Sequence, residues 1–96
     1  MKESSGIEWQ IDFHKRALKF LETNKIPESE IVEIIVKALK RFKGEDINID
    51  IAKLKGAWAG FHRIKIGNMR IIAEFNFDSK RVYIENIGWR GRVYKK

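Results

Sequence analysis

The sequence has no cysteine, a single proline and only two histidines. Without cysteine, a chain cannot form disulfides, cysteine-ligated zinc sites or iron–sulfur clusters, and it has no thiol nucleophile. No apolar run approaches the roughly 18–20 residues that span a bilayer, and the polar start, residues 1–6, lacks the apolar segment of a signal peptide. We therefore expect a cytoplasmic protein with no membrane partner, metal or cofactor.

Acidic residues are scarce in the second half of the chain. Residues 1–50 carry nine basic and ten acidic side chains, a net charge of −1, whereas residues 51–96 carry eleven basic and three acidic ones, a net charge of +8. The 96 residues suffice for one domain around one core. A single domain with such an uneven charge is typical of a protein that binds a polyanion, and a basic surface kept for solubility is the alternative.

Hydrophobic periodicity and turn residues predict an α+β fold of order β-α-α-β-β-β. Two N-terminal helices are expected to pack on one face of a mostly antiparallel four-stranded sheet. The stretch Glu45–Gly56 is expected to be an irregular connection. The predicted elements are a strand over Ile7–Phe13, a helix over His14–Glu22, a helix from Pro27 or Ser29 to Gly44, and strands over Phe61–Ile66, Met69–Phe77 and Val82–Ile87.

The strongest functional signal lies in the predicted hairpin, whose turn is Gly67-Asn68. With this turn, one face of the hairpin is apolar and the other receives three cations: Arg63, Lys65 and Arg70. Like charges directly opposite each other destabilise a sheet, so their clustering favours a phosphate-binding role. The alternative is that each cation pairs with a carboxylate, for which Glu74 and Glu85 are the candidates in reach.

The C-terminal residues add groups suited to single-stranded nucleic acid. Arg90 and Arg92 present forks that match phosphate oxygens, and Tyr94 offers a ring for base stacking and a hydroxyl that can move a proton. Trp89 is either a second stacking platform or an anchor that holds the tail on the core. The two histidines are interpreted as structural, because His62 falls on the apolar face of the hairpin.

Three segments resemble the RelE/ParE superfamily of bacterial and archaeal toxins. These are the strand and helix over Trp9–Leu21, the step Leu54-Lys55-Gly56 with the hairpin Phe61–Ile72, and the ending Ile87–Tyr94. The order and spacing of these segments match the family across roughly residues 7–96. The resemblance implies a compact fold like that of the microbial ribonucleases.

For the RelE branch, the resemblance implies a type II toxin that enters the ribosomal A site and cuts mRNA there. The ribose 2′-oxygen attacks the adjacent phosphate, cations stabilise the transition state, and a C-terminal tyrosine assists proton transfer. The positions that match the family's catalytic residues are Arg63, Lys65, Arg70, Arg90 and Tyr94. Further RNA contacts are expected from Lys55, Trp89, Arg92 and Lys95.

Two positions depart from the family pattern. Met69 stands where the family has tyrosine, and Arg63 stands where some members have lysine. Because arginine does not lose its proton, Arg63 cannot act as a general base. If a carboxylate takes that role, Glu74 and Glu85 are the candidates.

The resemblance also implies a partner. Antitoxins of this superfamily wrap the toxin with an extended, often acidic segment, and the basic half of this chain offers a complementary surface. We expect a RelB-like antitoxin in a toxin–antitoxin hetero-oligomer, with the ribosome and mRNA as the other partners. The alternatives are a ParE-like inhibitor of DNA gyrase and a non-catalytic RNA-binding module.

Overall fold

The computed structural model describes residues 8–90. It has the predicted α+β architecture, with a sheet of order β1-β5-β4-β3-β2 in which β1 runs parallel to β5 and the other pairs are antiparallel. No helix within residues 8–90 is long and apolar enough to cross a membrane. The elements are β1 (Gln10–Phe13), α1 (Lys15–Thr23), α2 (Glu28–Phe42), β2 (Asp50–Lys53), a short 3-10 helix (Gly56–Trp58), β3 (His62–Ile66), β4 (Met69–Asn76) and β5 (Arg81–Trp89).

The predicted four-stranded sheet is wrong by one strand, because the supposed irregular connection contains β2. This strand is short, its ends are Asp50 and Lys53, and it pairs only with β3 at the edge of the sheet. Aspartate and lysine are poor strand formers, so the strand depends on its neighbour rather than on its own propensity. The approach to it is fixed by Arg41, whose Nη1 donates to the carbonyl oxygens of Ile47 and Ile49 at 3.0 and 3.1 Å.

The hydrophobic core lies between the two helices and one face of the sheet. The apolar stripe of α2 is buried, as its helical spacing predicts. It meets buried residues of β3, β4 and β5 in one continuous cluster. The fully buried members of that cluster with the largest side chains are Ile31, Ile35, Ile64, Ile71, Val82 and Ile84.

A β-bulge in β5 extends this strand beyond its predicted end. Ile72 pairs with Asn86 but Ala73 pairs with Ile84, so Glu85 is an extra residue in β5. The extra residue lets Ile84 and Ile87 both reach the core although they are three positions apart. The prediction of a strand over Val82–Ile87 rests on strict alternation, which contains no bulge. The observed strand continues two residues further, to Trp89.

The hairpin between β3 and β4 has the predicted register. Ile66 pairs with Met69, and Lys65 pairs with Arg70. Gly67 has a φ of 58°, the left-handed region that glycine adopts without steric cost. A positive φ at the first of two turn residues is the feature of a type II′ turn, which suits the twist of a hairpin.

Candidate functional site

The face of the sheet turned away from the helices, here called the open face, is defined by the strand register. Side chains alternate along a strand, and directly opposite residues share a face. Residues in register with the predicted cations therefore lie on the open face, and this face is strongly polar. Its members include Asp12, Asp50, Arg63, Lys65, Arg70, Ile72, Glu74, Arg81 and Tyr83.

Two of the three hairpin cations share a counter-ion that the sequence did not reveal. Arg63 Nη2 lies 2.8 Å from Asp50 Oδ1, and Lys65 Nζ lies 3.8 Å from Asp50 Oδ2. Asp50 is directly opposite Lys65 on β2, the strand that lies within the predicted irregular connection. The alternative in which the cations pair with a carboxylate therefore holds for Arg63 and Lys65. Their partner is Asp50 and not Glu74 or Glu85.

Arg63 is also packed against the sheet. Ile72, its cross-strand partner, has no exposed surface although it lies outside the main core cluster, on the open face. The side chains around Ile72 must cover it, and a long aliphatic stem such as that of Arg63 is suited to this. Arg63 Nε is buried and has no hydrogen-bond partner within residues 8–90. Arg63 thus has a buried Nε and an Nη2 that reaches Asp50, and its side chain is 24% exposed.

Arg70 differs from the other two hairpin cations, because no carboxylate within the described residues pairs with it. Its Nη1 donates to the carbonyl oxygens of Gly67 and Met69 at 2.7 and 3.2 Å. These bonds hold the guanidinium beside the hairpin turn without neutralising its positive charge, because carbonyl oxygens carry no net charge. Such a held and uncompensated cation is what a phosphate site requires.

Arg90 is brought to the same turn by its backbone. Its N–H donates to the carbonyl oxygen of Asn68 at 2.8 Å, and its φ of 51° is in the left-handed region. A non-glycine residue rarely adopts such a φ, so the structure around Arg90 must hold its backbone in this conformation. The structure thus unites Arg63, Lys65 and Arg70 on the open face and places Arg90 where their hairpin ends.

Of the remaining predicted site residues, the structure describes Lys55 and Trp89. Lys55 is exposed and follows Lys53, which pairs with His62, so it lies toward the end of β3 opposite to the hairpin turn. Trp89 pairs with the buried Met69, and its ring lies 5.1 Å from that of Phe20 in α1. The Trp89 residue is nevertheless 41% exposed, so it contacts α1 with one part of its ring and offers another part to solvent. Arg92, Tyr94 and Lys95 lie outside the described residues.

The two candidate general bases, Glu74 and Glu85, lie on β4 and β5. Glu85, in the bulge, lies 3.8 Å from Arg16 of α1, and Glu74 is exposed and opposite Tyr83. Within residues 8–90, neither carboxylate forms an ion pair with a hairpin cation. Burial raises the pKa of Tyr83 above its ordinary value, and the Glu85 carboxylate raises it further, so the Tyr83 hydroxyl keeps its proton at neutral pH.

The two histidines differ in their hydrogen bonding, because His14 accepts a hydrogen bond whereas the buried Nδ1 of His62 has no partner within residues 8–90. His62 faces the helix side, with its ring 5.3 Å from that of Phe42 and 5.5 Å from that of Phe75. Burial lowers the pKa of His62 from 6.5, and the charge of Lys53 lowers it further. His14 is the N-cap of α1, where its Nδ1 accepts a hydrogen bond from the Arg16 N–H at 3.0 Å.

The lowered pKa of His62 predicts a pH-dependent loss of stability. The folded protein binds a proton at His62 less readily than the unfolded chain does, so the free energy of unfolding falls as the pH drops below about 6.5. We expect His62→Phe to reduce this fall between about pH 7 and pH 5. Urea unfolding of both proteins across this range measures the effect, and parallel pH profiles for the two proteins would contradict it.

Comparison with known proteins supports the fold. No protein-family model matches the sequence, and no curated protein matches it. Among solved structures, the archaeal RelE–RelB complex from Pyrococcus horikoshii OT3 is similar at 23% identity and a TM-score of 0.61, over 91% of this chain and 100% of that chain. The RelB–RelE antitoxin–toxin complex from Methanococcus jannaschii is similar at 24% identity and a TM-score of 0.54, over 81% and 88% of the two chains.

A third similar structure is the DinJ–YafQ toxin–antitoxin complex from E. coli. It is 11% identical, with a TM-score of 0.61 over 93% of this chain and 100% of that chain. The three likenesses confirm the structural side of the resemblance noted in the sequence. Together with the strand order and the two helices on one face of the sheet, they show that this chain has the fold of the RelE-type toxins.

Proposed function

We propose that this protein is the toxin of a type II toxin–antitoxin system and that it cuts mRNA in the ribosomal A site. The observation that carries the proposal is the convergence of cations at one end of the open face. Arg63, Lys65 and Arg70 share that face, and the backbone of Arg90 is bound to the same hairpin turn. The RelE-like fold and the sequence motifs support the choice of a toxin over other proteins that bind polyanions.

The proposed reaction is attack of the ribose 2′-oxygen on the adjacent phosphorus. The 2′-hydroxyl gives up its proton as a bond forms between the 2′-oxygen and phosphorus, the bond to the 5′-oxygen breaks, and the leaving 5′-oxygen takes up a proton. The products carry a 2′,3′-cyclic phosphate and a 5′-hydroxyl. Negative charge grows on the non-bridging oxygens during the attack. Cations held in place before the reaction stabilise this charge without the cost of reorganisation.

Within this mechanism, Arg63 and Arg70 stabilise charge and do not transfer protons, because the guanidinium stays protonated. Neither histidine is in a position to act as their acid–base partner: His62 faces the helices and His14 caps α1. The resemblance assigns assistance in proton transfer to Tyr94. Arg90 and Arg92 are proposed to bind phosphate beside it.

The proposed partners follow from the charge and from the relatives. The similar structures from P. horikoshii, M. jannaschii and E. coli are complexes of a toxin with an antitoxin. The net charge of +8 in residues 51–96 suits an acidic segment of such a protein. We propose that a RelB-like antitoxin binds this chain in a cytoplasmic hetero-oligomer and keeps it inactive.

Primer extension on cellular mRNA tests the proposed function. Cells in which the wild-type chain is induced are expected to stop growing and to show mRNA cuts within codons of translated regions. Cells that express Arg90→Ala at the same level are expected to grow and to lack these cuts. Growth arrest without cuts would contradict the nuclease and indicate a target such as DNA gyrase, and neither arrest nor cuts would leave an RNA-binding module.

A further inference from the structure

We propose that Asp50 is an internal competitor of RNA phosphate at Arg63 and Lys65, and that it sets how tightly the open face holds RNA. This inference uses the proposed function only in taking RNA as the ligand. It concerns a residue outside the predicted site, on a strand that the sequence analysis did not detect.

The geometry of the ion pairs resembles that of a bound phosphate. Each oxygen of the Asp50 carboxylate faces a different cation, Oδ1 toward Arg63 at 2.8 Å and Oδ2 toward Lys65 at 3.8 Å. A phosphodiester also carries one negative charge on two equivalent oxygens, and arginine and lysine are its usual ligands in proteins. Asp50 therefore takes the hydrogen-bonding position at Arg63, and the place beside Lys65, that a backbone phosphate would occupy.

Exposure makes the carboxylate displaceable. The side chain of Asp50 is 53% exposed, that of Lys65 is 45% exposed and that of Arg63 is 24% exposed, so water screens the attraction of Asp50 to Lys65 more than its attraction to Arg63. The backbone of Asp50 is fixed by its pairing with Lys65, so only its side chain can rotate away. An entering phosphate must break the two ion pairs, or else bind next to a like charge, and either course weakens RNA binding.

Asp50 also explains how the sheet tolerates its cations. Arg63 and Lys65 lie two residues apart on the same face of β3, and Arg70 is directly opposite Lys65. Such a group of like charges is destabilising without a counter-ion. Asp50 supplies this counter-ion in the absence of RNA, and the same charge then opposes RNA binding.

The test compares RNA binding by Asp50→Asn with that by the wild-type chain. Asp12→Asn is the matched control, because it removes the same charge from the same face of the sheet. Asp12 Oδ2 lies 4.0 Å from Nη1 of a different arginine, Arg81, away from the hairpin. The probe is a fluorescent 2′-O-methyl RNA oligonucleotide, which cannot be cut because its 2′-oxygen is blocked. The full chain is titrated at several salt concentrations and the anisotropy is measured.

We expect Asp50→Asn to bind the oligonucleotide about 3- to 10-fold more tightly than the wild type, the range expected for removing a competing exposed ion pair. Freed cations release more counterions, so the slope of log K against log salt is expected to steepen by about 0.7 for each new phosphate contact. Asp12→Asn is expected to show a smaller gain. An equal gain in both variants, or weaker binding by Asp50→Asn, would overturn the proposal.

Two further measurements distinguish a failure of this inference from misfolding of the variant and from a failure of the proposed function. Thermal unfolding verifies that the Asp50→Asn variant is folded. If this variant is not folded, Asp50→Thr is used instead, because threonine is suited to strands. mRNA cutting is assayed separately. If the wild type cuts mRNA while Asp50→Asn binds RNA no better, this inference fails and the proposed function stands. If Asp50→Asn binds RNA better but no mRNA is cut, the inference holds and the nuclease proposal fails.

Discussion

Replacing Arg70 with alanine is expected to lower the rate of mRNA cutting by about 10²- to 10³-fold, as when one donor to a developing oxyanion is removed. Arg70 is the hairpin cation whose charge has no carboxylate partner within residues 8–90. Its hydrogen bonds to the carbonyl oxygens of Gly67 and Met69 hold it at the hairpin turn. The measurement is the single-turnover rate on ribosome-bound mRNA.

Arg81→Ala is the matched control for this substitution. Arg81 is on the same open face and carries the same charge. It lies at the far end of β5, where its register partners are Asn76 on β4 and Gln10 on β1. We expect its replacement to change the rate by less than about 3-fold, since it affects only screened, long-range attraction. A similar loss in both variants would show that overall charge, and not the position of Arg70, determines the rate.

Replacing Ile71 with alanine is expected to lower the free energy of unfolding by about 2–5 kcal/mol. Ile71 has no exposed surface and lies on β4 between Ile64 and Ile87, all three of which face the helices. Alanine would leave a cavity that close-packed neighbours fill only in part. Equilibrium urea unfolding, monitored by tryptophan fluorescence, measures the loss.

Ile66→Ala removes the same atoms at the end of β3, where the side chain is 37% exposed. Less apolar surface is lost there and no enclosed cavity forms, so we expect a loss below about 1 kcal/mol. If the two substitutions cost the same, the core does not lie where the fold places it.

The hairpin could be predicted from sequence because its signals are local. The Gly67-Asn68 turn fixes the register of the strands on either side, and alternation then assigns Arg63 and Arg70 to one face. The second helix could be predicted for a similar reason: its apolar residues recur at helical spacing and Gly44 follows its end. Both inferences need only residues that are close in the chain.

The counter-ion of the site could not be predicted, because it depends on contact between distant segments. Asp50 reaches Arg63 only through the pairing of β2 with β3, 13 positions away in sequence. The alternation of Ile47, Ile49 and Ile51 was a signal for a strand, but flanking charged and polar residues obscured it. Asp50 lies in the more acidic first half of the chain but pairs with cations of the basic second half, so the hairpin carries less uncompensated charge than the composition of residues 51–96 indicates.

The position of Arg90 was inferred from the family resemblance, and the structure adds a physical reason for it. The bulge at Glu85 shifts the register of β5, and the strand then ends opposite Met69, next to the hairpin turn. The hydrogen bond from Arg90 to Asn68 fixes that end. Neither the bulge nor this bond has a signature in the local sequence, so spacing alone did not predict them.

Cutting of a defined mRNA by the purified chain, with and without ribosomes, tests the central claim most directly. We predict cuts at the codon in the A site only when the mRNA is bound to ribosomes, with 2′,3′-cyclic phosphate and 5′-hydroxyl ends. We also predict that Arg70→Ala gives almost no product in the same time. Intact mRNA in the presence of programmed ribosomes and wild-type protein, or equal cutting by Arg70→Ala, would contradict the proposal that these cations perform the reaction.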